Sequence, residues 1–345
     1  MTKTFVITTA EIDNEERAVQ EMMTQVNKHK LLKNSTGVIS CHYEFVLSGV
    51  AKAVCEALPF EVSGIVAAPL SDGMRVDSLL LSIMVITSND AEFVHIVSES
   101  LFGDKKAAVA QEYEKATKGR NEKPKLILTF APFIPTNLGD EYTTILSELS
   151  GGAPCFGSLA IDDNPDFSQC FTISNGEHLK DKMVLTLIYG NINPKFYIAN
   201  VSSDKISDRA ALITKSQGHI VQEVNGRSMD EYFDSLGLLE IIDTQYAMIM
   251  MPFLLDYKDG TPMVSKIFIN VTPERHSLFA SEMPEGSELY IAQCDRNDIF
   301  KTTGETIDGI LKDLEYAAGA LMYSCIGRML SLDSEQYSEM ELVSE

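Results

Sequence analysis

The sequence contains no tryptophan, no Cys-x-x-Cys pair and no long apolar run, and its basic residues are few. The absence of Cys-x-x-Cys excludes zinc knuckles and thioredoxin-type redox motifs. The longest apolar stretch, near residues 246–255, is interrupted by Pro252, whereas a membrane-spanning helix needs about 20 apolar residues. Acidic residues soon follow the short apolar run at residues 5–7, which differs from a secretory signal peptide. These absences predict a cytoplasmic protein without membrane insertion.

The shortage of basic residues also restricts the partners. The chain has 50 Asp and Glu against 28 Lys and Arg, which gives a formal net charge of −22 at pH 7. An acidic surface repels nucleic-acid phosphates and anionic lipid headgroups, and no stripe of Lys and Arg offsets this repulsion. We therefore expect no nucleic-acid partner.

What is present suits a folded protein of two domains. The 345 residues exceed one typical core, and 16 Phe, 12 Tyr and 15 Met can fill the cores in place of tryptophan. Strand-like and helix-like segments alternate irregularly, which indicates an α+β (mixed α/β) fold and not a regular doubly wound sheet. We predict two domains, at residues 1–203 and 204–345, each a largely mixed β-sheet layered with helices. No internal repeat is visible in the sequence.

Several individual elements are predicted from apolar periodicity and turn residues. A helical span is expected from Asn89 into residues 112–115, and strands are expected at residues 195–201 and 246–251. Another helix is expected to begin after Thr302-x-x-Glu305. Its predicted buried face carries residues at helical spacing, namely Ile307, Ile310, Leu311, Leu314 and Ala318.

Four glycine-containing segments carry a family resemblance. They are residues 157–163 (GSLAIDD) with the strand that follows, 214–228 (TKSQGHIVQEVNGRS), 283–289 (MPEGSEL) and 320–328 (ALMYSCIGR). In this order and spacing they resemble the FIST domain, a sensory module whose N- and C-terminal parts usually occur together. The first is similar to the family's Gly-x-x-Ala-x-Asp segment and the last to its Ser-Cys-x-Gly-Arg signature. Residues 1–124 match more loosely, because residues 40–44 (SCHYE) stand where the family tends to have Gly-Cys-Ser/Thr.

The resemblance implies a ligand-sensing module of a signal-transduction system, with a small polar ligand such as an amino acid. It also implies a separate signalling partner, namely a histidine kinase, a cyclic-dinucleotide enzyme or a chemoreceptor, or a part of the protein outside this sequence. Relatives usually continue past the position of Glu345 through a Gly-Glu-Ile-like strand. Either the sequence is truncated at this point, or the domain at residues 204–345 lacks its last strand.

The candidate ligand contacts lie in or near the first and last of these segments. Arg328 can bind a carboxylate through paired hydrogen bonds, with Ser324 and Cys325 beside it. Asp162 and Asp163 can accept an ammonium group, and Gly151, Gly152 and Gly157 can let backbone N–H groups approach an anion. Ser158, next to Gly157, is a further candidate contact. Each of these has a structural alternative: an internal ion pair for the arginine, a turn or helix cap for the aspartates, and tight strand packing for the glycines.

Two other functions remain open at this point. A thiol-dependent enzyme would use Cys155 or Cys325 with a histidine base, but no nucleophile motif supports it, so we expect no catalytic residues and no enzyme activity. A haem-based gas sensor of the same family would need one histidine as an iron ligand. No two histidines are spaced as i,i+4 or His-x-His, so we predict no metal site and no cofactor. The six histidines are His29, His42, His95, His178, His219 and His276.

Overall fold

The computed structural model describes residues 1–73, 75–134, 139–164, 167–240 and 252–344. The chain divides into two compact units. The first comprises Met1–Phe196, Tyr316–Tyr323 and Ser344–Glu345, and the second comprises Tyr197–Glu315 and Ser324–Val343. Helices and strands are mixed along the chain, which confirms the predicted α+β fold class in two parts.

The first unit contains two main β-sheets and five helices among its described residues. Its strands are β1 (Thr2–Thr9), β2 (Asn34–Cys41), β3 (Val62–Val66), β4 (Leu70–Ser71), β5 (Val76–Asp77), β6 (Leu81–Ser88), β7 (Ala91–Val97), β8 (Leu126–Ala131), β9 (Cys155–Leu159), β10 (Thr172–Ser174), β11 (Glu177–Leu179) and β12 (Val184–Gly190). Its helices are α1 (Glu15–Val26), α2 (Tyr43–Leu47), α3 (Val50–Ala57), α4 (Lys105–Thr117) and α5 (Gly139–Ser150).

The two main sheets repeat one topology. The first has the order β1-β6-β2-β3-β10-β11 and the second has the order β7-β12-β8-β9. The strands β1-β6-β2-β3 of the first sheet correspond to β7-β12-β8-β9 of the second. In each set the first two neighbouring pairs are antiparallel, and the third pair is parallel. Along the chain, α1 connects β1 to β2, and α4 connects β7 to β8. Helices also connect the two parallel partners: α2 and α3 lie between β2 and β3, and α5 lies between β8 and β9. The first unit is therefore an internal duplication.

A glycine occupies the same register position in each parallel pair. Gly64 in β3 pairs with Ile39, and Gly157 in β9 pairs with Thr129. A Cβ at Gly64 would lie 1.8 Å from the Ile39 carbonyl oxygen, and one at Gly157 would lie 1.7 Å from the Thr129 carbonyl oxygen. Both glycines allow a backbone approach that any side chain would block.

The side chains of the sheets alternate between two kinds of core. In β2, Ile39 packs in the core with α1 and α3, whereas its neighbour Val38 packs in a core shared with the second sheet. In β8, Ile127 packs in the core with α4 and α5, whereas Leu128 joins the shared core. The unit is therefore layered as helices, sheet, sheet and helices.

A buried histidine lies between the two sheets. His95 in β7 has Nε2 at 2.9 Å from Thr36 Oγ1 in β2 and Nδ1 at 3.2 Å from Thr186 Oγ1 in β12. Burial lowers the pKa of His95 from its ordinary value, because the interior disfavours the charged imidazolium. His95 is therefore a neutral polar bridge between the sheets.

The second unit is built around one antiparallel sheet of the order β17-β16-β20-β13-β14-β19-β18, with β15 paired to β14. Its strands are β13 (Ala211–Gln217), β14 (Ile220–Val224), β15 (Arg227–Ser228), β16 (Phe253–Asp256), β17 (Val264–Lys266), β18 (Phe268–Val271), β19 (Ser277–Phe279) and β20 (Glu288–Ile291). Its helices are α6 (Met229–Ser235), α7 (Arg296–Asp313), α8 (Ile326–Ser331) and α9 (Ser338–Ser344), with 3₁₀ turns at Ser203–Lys205 and Asp333–Glu335.

This sheet curves so that its two ends approach each other. Only Ile267 separates β17 from β18, although the two strands lie at opposite ends of the strand order. Because consecutive Cα atoms are about 3.8 Å apart, the two ends of the sheet must be close. Inside the curve, the phenylalanine rings of α6, β16, β18 and β19 pack with centroids 5.5–6.3 Å apart. These rings make the aromatic core that the sequence provides instead of tryptophan.

Two strand and helix predictions in the first half are wrong. Residues 91–97, expected to be helical, form β7, because they pair along their whole length with β12. Residues 195–201, expected to be a strand, form none in the described chain. The strand expected at residues 246–251 lies outside the described residues.

The helix expected after Thr302 begins earlier. The side chain of Asp295 accepts hydrogen bonds from the backbone N–H groups of Asn297 and Asp298, and this cap starts α7 at Arg296, six residues before Thr302. The buried residues of α7 belong to its first two turns. On the predicted apolar face, Ile307, Ile310 and Leu314 are only half-buried, and Leu311 is 70% exposed. No helix in the described residues combines the length and apolarity needed to cross a bilayer.

Candidate functional site

The residues predicted from the sequence fall into two groups. Gly157 and Ser158 lie in β9, and Asp162 and Asp163 lie in the loop after it, all in the first unit. Ser324, Cys325 and Arg328 lie at the start of α8, in the second unit.

The loop after β9 is held by Asp162. Its carboxylate is 1% exposed and accepts hydrogen bonds from the backbone N–H groups of Asn164, at 2.8 Å, and Gln169. Ser158 donates its hydroxyl to the Leu159 carbonyl oxygen at 3.0 Å. Close strand packing accounts for Gly157. These three residues have local structural roles, and their contact with a ligand stays a prediction.

Asp163 contacts a histidine that directly follows β2. Nε2 of His42 lies 3.2 and 3.3 Å from the two carboxylate oxygens of Asp163, whose side chain is 54% exposed. Nδ1 of His42 accepts the backbone N–H of Glu44 at 3.3 Å and so caps α2. The proton of a neutral His42 is therefore on Nε2 and is donated to Asp163. This pair joins the carboxyl ends of β2 and β9, where ligands of parallel sheets commonly bind.

Arg328 binds a carboxylate of its own chain. Its Nε and Nη2 donate to Oε1 of Glu339 at 2.8 and 2.6 Å. Nη2 also donates to Thr303 Oγ1 at 2.9 Å and to the Ile299 carbonyl oxygen at 3.2 Å. The hydroxyls of Thr303 and Ser324 donate to the two oxygens of Glu339, each at 2.7 Å. One guanidinium and two hydroxyls therefore surround one carboxylate.

This carboxylate is ionised although it is buried. The side chain of Glu339 is 4% exposed, and that of Arg328 is 20% exposed. Burial by itself would raise the pKa of Glu339, but the hydrogen bonds and charge of Arg328, with the hydroxyls of Thr303 and Ser324, lower it below the ordinary 4.5. The cluster is a carboxylate-binding arrangement built from α7, α8 and α9.

Comparison with known protein families decides the assignment of the chain. A model of the FIST N domain matches residues 36–227, and a model of the FIST C domain matches residues 229–345. The chain belongs to the FIST family. FIST domains are sensory domains of signal transduction. No curated protein matches the chain.

The domain boundary of this FIST protein lies at one position in the compact units and at another in the family models. The compact units divide after Phe196, whereas the family models divide between residues 227 and 229. The predicted boundary at residue 203 lies between these positions and stays a prediction.

The sequence did not indicate that Glu339 and His42 take part in these sites. Glu339 lies in the acidic stretch at the end of the sequence, and no motif relates it to Arg328, which lies on another helix. His42 was considered only as a haem ligand. Its position just after a strand and before a helix is the signal that could have placed it at the carboxyl end of a parallel strand, as Asp163 is placed after β9.

One of the two candidate nucleophiles of this FIST protein is poorly suited to attack. Cys155 is half-buried, and burial raises its pKa to about 11, the opposite of an activated thiol. Cys325 is exposed at the N-cap of α8. Among the described residues, no group of three or more His, Cys, Asp or Glu is placed to hold a metal ion.

Proposed function

We propose that this FIST protein is a cytoplasmic sensory module that binds a small polar ligand with a carboxylate group, such as an amino acid, at Arg328. The bound state is passed on to a separate signalling protein, which in this family would be a kinase, a cyclic-dinucleotide enzyme or a chemoreceptor. The observation that carries the proposal is the carboxylate of Glu339 on Arg328. It stands in for the carboxylate of the ligand.

The donor set supports this assignment. Nε and Nη2 of Arg328 reach one oxygen of the carboxylate, and the hydroxyl of Ser324 reaches the other. Charge-assisted hydrogen bonds of this kind are about twice as strong as neutral ones, and the planar guanidinium fixes the orientation of the bound group. Lysine carries the same charge but lacks the planar set of N–H donors, so Arg328→Lys tests whether these donors are needed for binding.

The family signature supports a route for the signal. The chain leaves the first unit after Tyr323 and enters the second at Ser324, so these two signature residues belong to different units. The ring of Tyr323 packs with Phe130 and Phe156 of the first unit, while the hydroxyl of Ser324 bonds to Glu339. The Arg328 site therefore lies beside one of the covalent connections between the units, through which a change at this site can act.

The test is a melting-temperature screen of the protein with the amino acids, small carboxylates and haemin. We expect an amino acid or a small carboxylate to raise the melting temperature, because a ligand that binds only the folded state stabilises it. Arg328→Lys should abolish this shift, while the control Arg209→Lys, at an exposed arginine, should keep it. Near-ultraviolet circular dichroism checks that both variants are folded.

An unchanged shift in folded Arg328→Lys would refute the proposed site. A Soret band with haemin and no shift with carboxylates would favour the gas-sensor alternative instead.

A further inference from the structure

We infer that Glu339 is a built-in competitor of the ligand: its carboxylate occupies the ligand's place on Arg328, and a bound carboxylate releases α9. The inference rests on the proposed carboxylate site at Arg328 and adds how that site is regulated.

The way α9 is attached points to this role. Of its seven residues, Glu339 is the only buried one. A helix so short is unstable alone, and most helices in proteins are held by an apolar face. In α9 the buried residue is a charged one, bonded to Arg328, Thr303 and Ser324. Glu339 therefore makes the buried contacts of α9, and these are the contacts that a carboxylate ligand would replace, while Ser344 at the end of the helix also bonds to Ser71.

The exchange leaves no buried group without a partner. Removing Glu339 alone would leave Arg328 as a partly buried charge with nothing opposite it, which is strongly unfavourable. Replacing the carboxylate of Glu339 by that of a ligand keeps the same donors satisfied, and the released Glu339 is hydrated. The two carboxylates therefore compete on nearly equal terms for Arg328.

Competition of this kind sets the ligand concentration at which the sensor responds. Glu339 is tethered to its site, and tethered groups act at effective concentrations on the order of millimolar. The apparent affinity for the ligand is reduced by the fraction of molecules in which Arg328 is open. Weakening the hold of Glu339 should therefore tighten the binding of a free carboxylate.

The experiment compares Glu339→Gln with Glu341→Gln, which removes the same charge from an exposed position of the same helix. Acetate and L-alanine are titrated, and the concentration that gives half of the maximal melting shift is measured. Loss of the charge-assisted bonds should lower this concentration about tenfold in Glu339→Gln. Glu341→Gln should behave as the wild type.

Hydrogen exchange of a peptide covering residues 338–344 reports on α9 directly. In the wild type, exchange should be slow without acetate and faster with it. In Glu339→Gln it should be fast in both conditions. Glu339→Asp, which keeps the charge and shortens the side chain, should lie between the two, and it replaces Glu339→Gln if that variant fails to fold.

The outcomes separate the inference from the function on which it rests. Equal half-maximal concentrations in all variants, with α9 exchange unaffected by acetate, would refute the competitor role while leaving Arg328 as a ligand site. No shift with either probe in the wild type or in any variant would contradict both the carboxylate site and the competitor role.

Discussion

Arg328 and Glu339 form the ion pair at the centre of the candidate site. The sequence places a guanidinium after Ser324 and Cys325, but nothing in the acidic tail distinguishes Glu339 from Glu335 or Glu341. Only the packing of α9 buries Glu339 and leaves Glu341 exposed. The position of the cation was therefore predictable, whereas the choice of the anion depends on tertiary contacts.

The lowered pKa of Glu339 predicts how stability changes with acid. Above pH 4.5 this carboxylate is ionised in both the folded and the unfolded chain, and its stabilising effect is fully present. As the pH falls below 4.5, the unfolded chain takes up the proton first, so the free energy of unfolding decreases. Urea unfolding at pH 7 and at several values below 4.5 should show that Glu339→Gln lacks this part of the decrease. Parallel profiles for the two proteins would contradict the assigned ion pair.

At the scale of elements, local sequence patterns and pairing between distant strands can favour different secondary structures. The hairpin of β13 and β14 was predictable, because Gln217-Gly218 is flanked by strand-like residues. The strand β7 was not, because its residues become a strand by pairing with β12, more than 80 residues later. The start of α7 was misplaced because Thr302-x-x-Glu305 imitates a capping box inside a helix. There the Thr302 hydroxyl bonds back to the Asp298 carbonyl oxygen at 2.9 Å.

The parallel strand pairs make a prediction at the same scale. Gly157→Ala and Gly64→Ala should each lower the free energy of unfolding by about 1–3 kcal/mol or more, because the new methyl group meets a backbone carbonyl that cannot move alone. Gly103→Ala is the control, since a Cβ there meets nothing within 4 Å. Its effect should stay within about 1 kcal/mol. Equal effects at positions 157 and 103, in chemical unfolding, would show that the close approach is not a constraint.

At the scale of the whole molecule, the sequence predicted the fold class and the family, but not the internal duplication of the first unit. The two halves share strand order, the sense of each pairing and a glycine at one register position. Such features are invisible to a search for similar residues along one chain. The shared core between the sheets, including neutral His95, was equally hidden, because it joins strands distant in sequence.

The central claim is that a free carboxylate binds Arg328, and a crystal structure with the amino acid that gives the largest melting shift tests it most directly. We predict that the ligand carboxylate lies about 3 Å from Nε and Nη2 of Arg328, with Glu339 displaced from them. A ligand bound elsewhere, with Glu339 still on Arg328, would contradict the account.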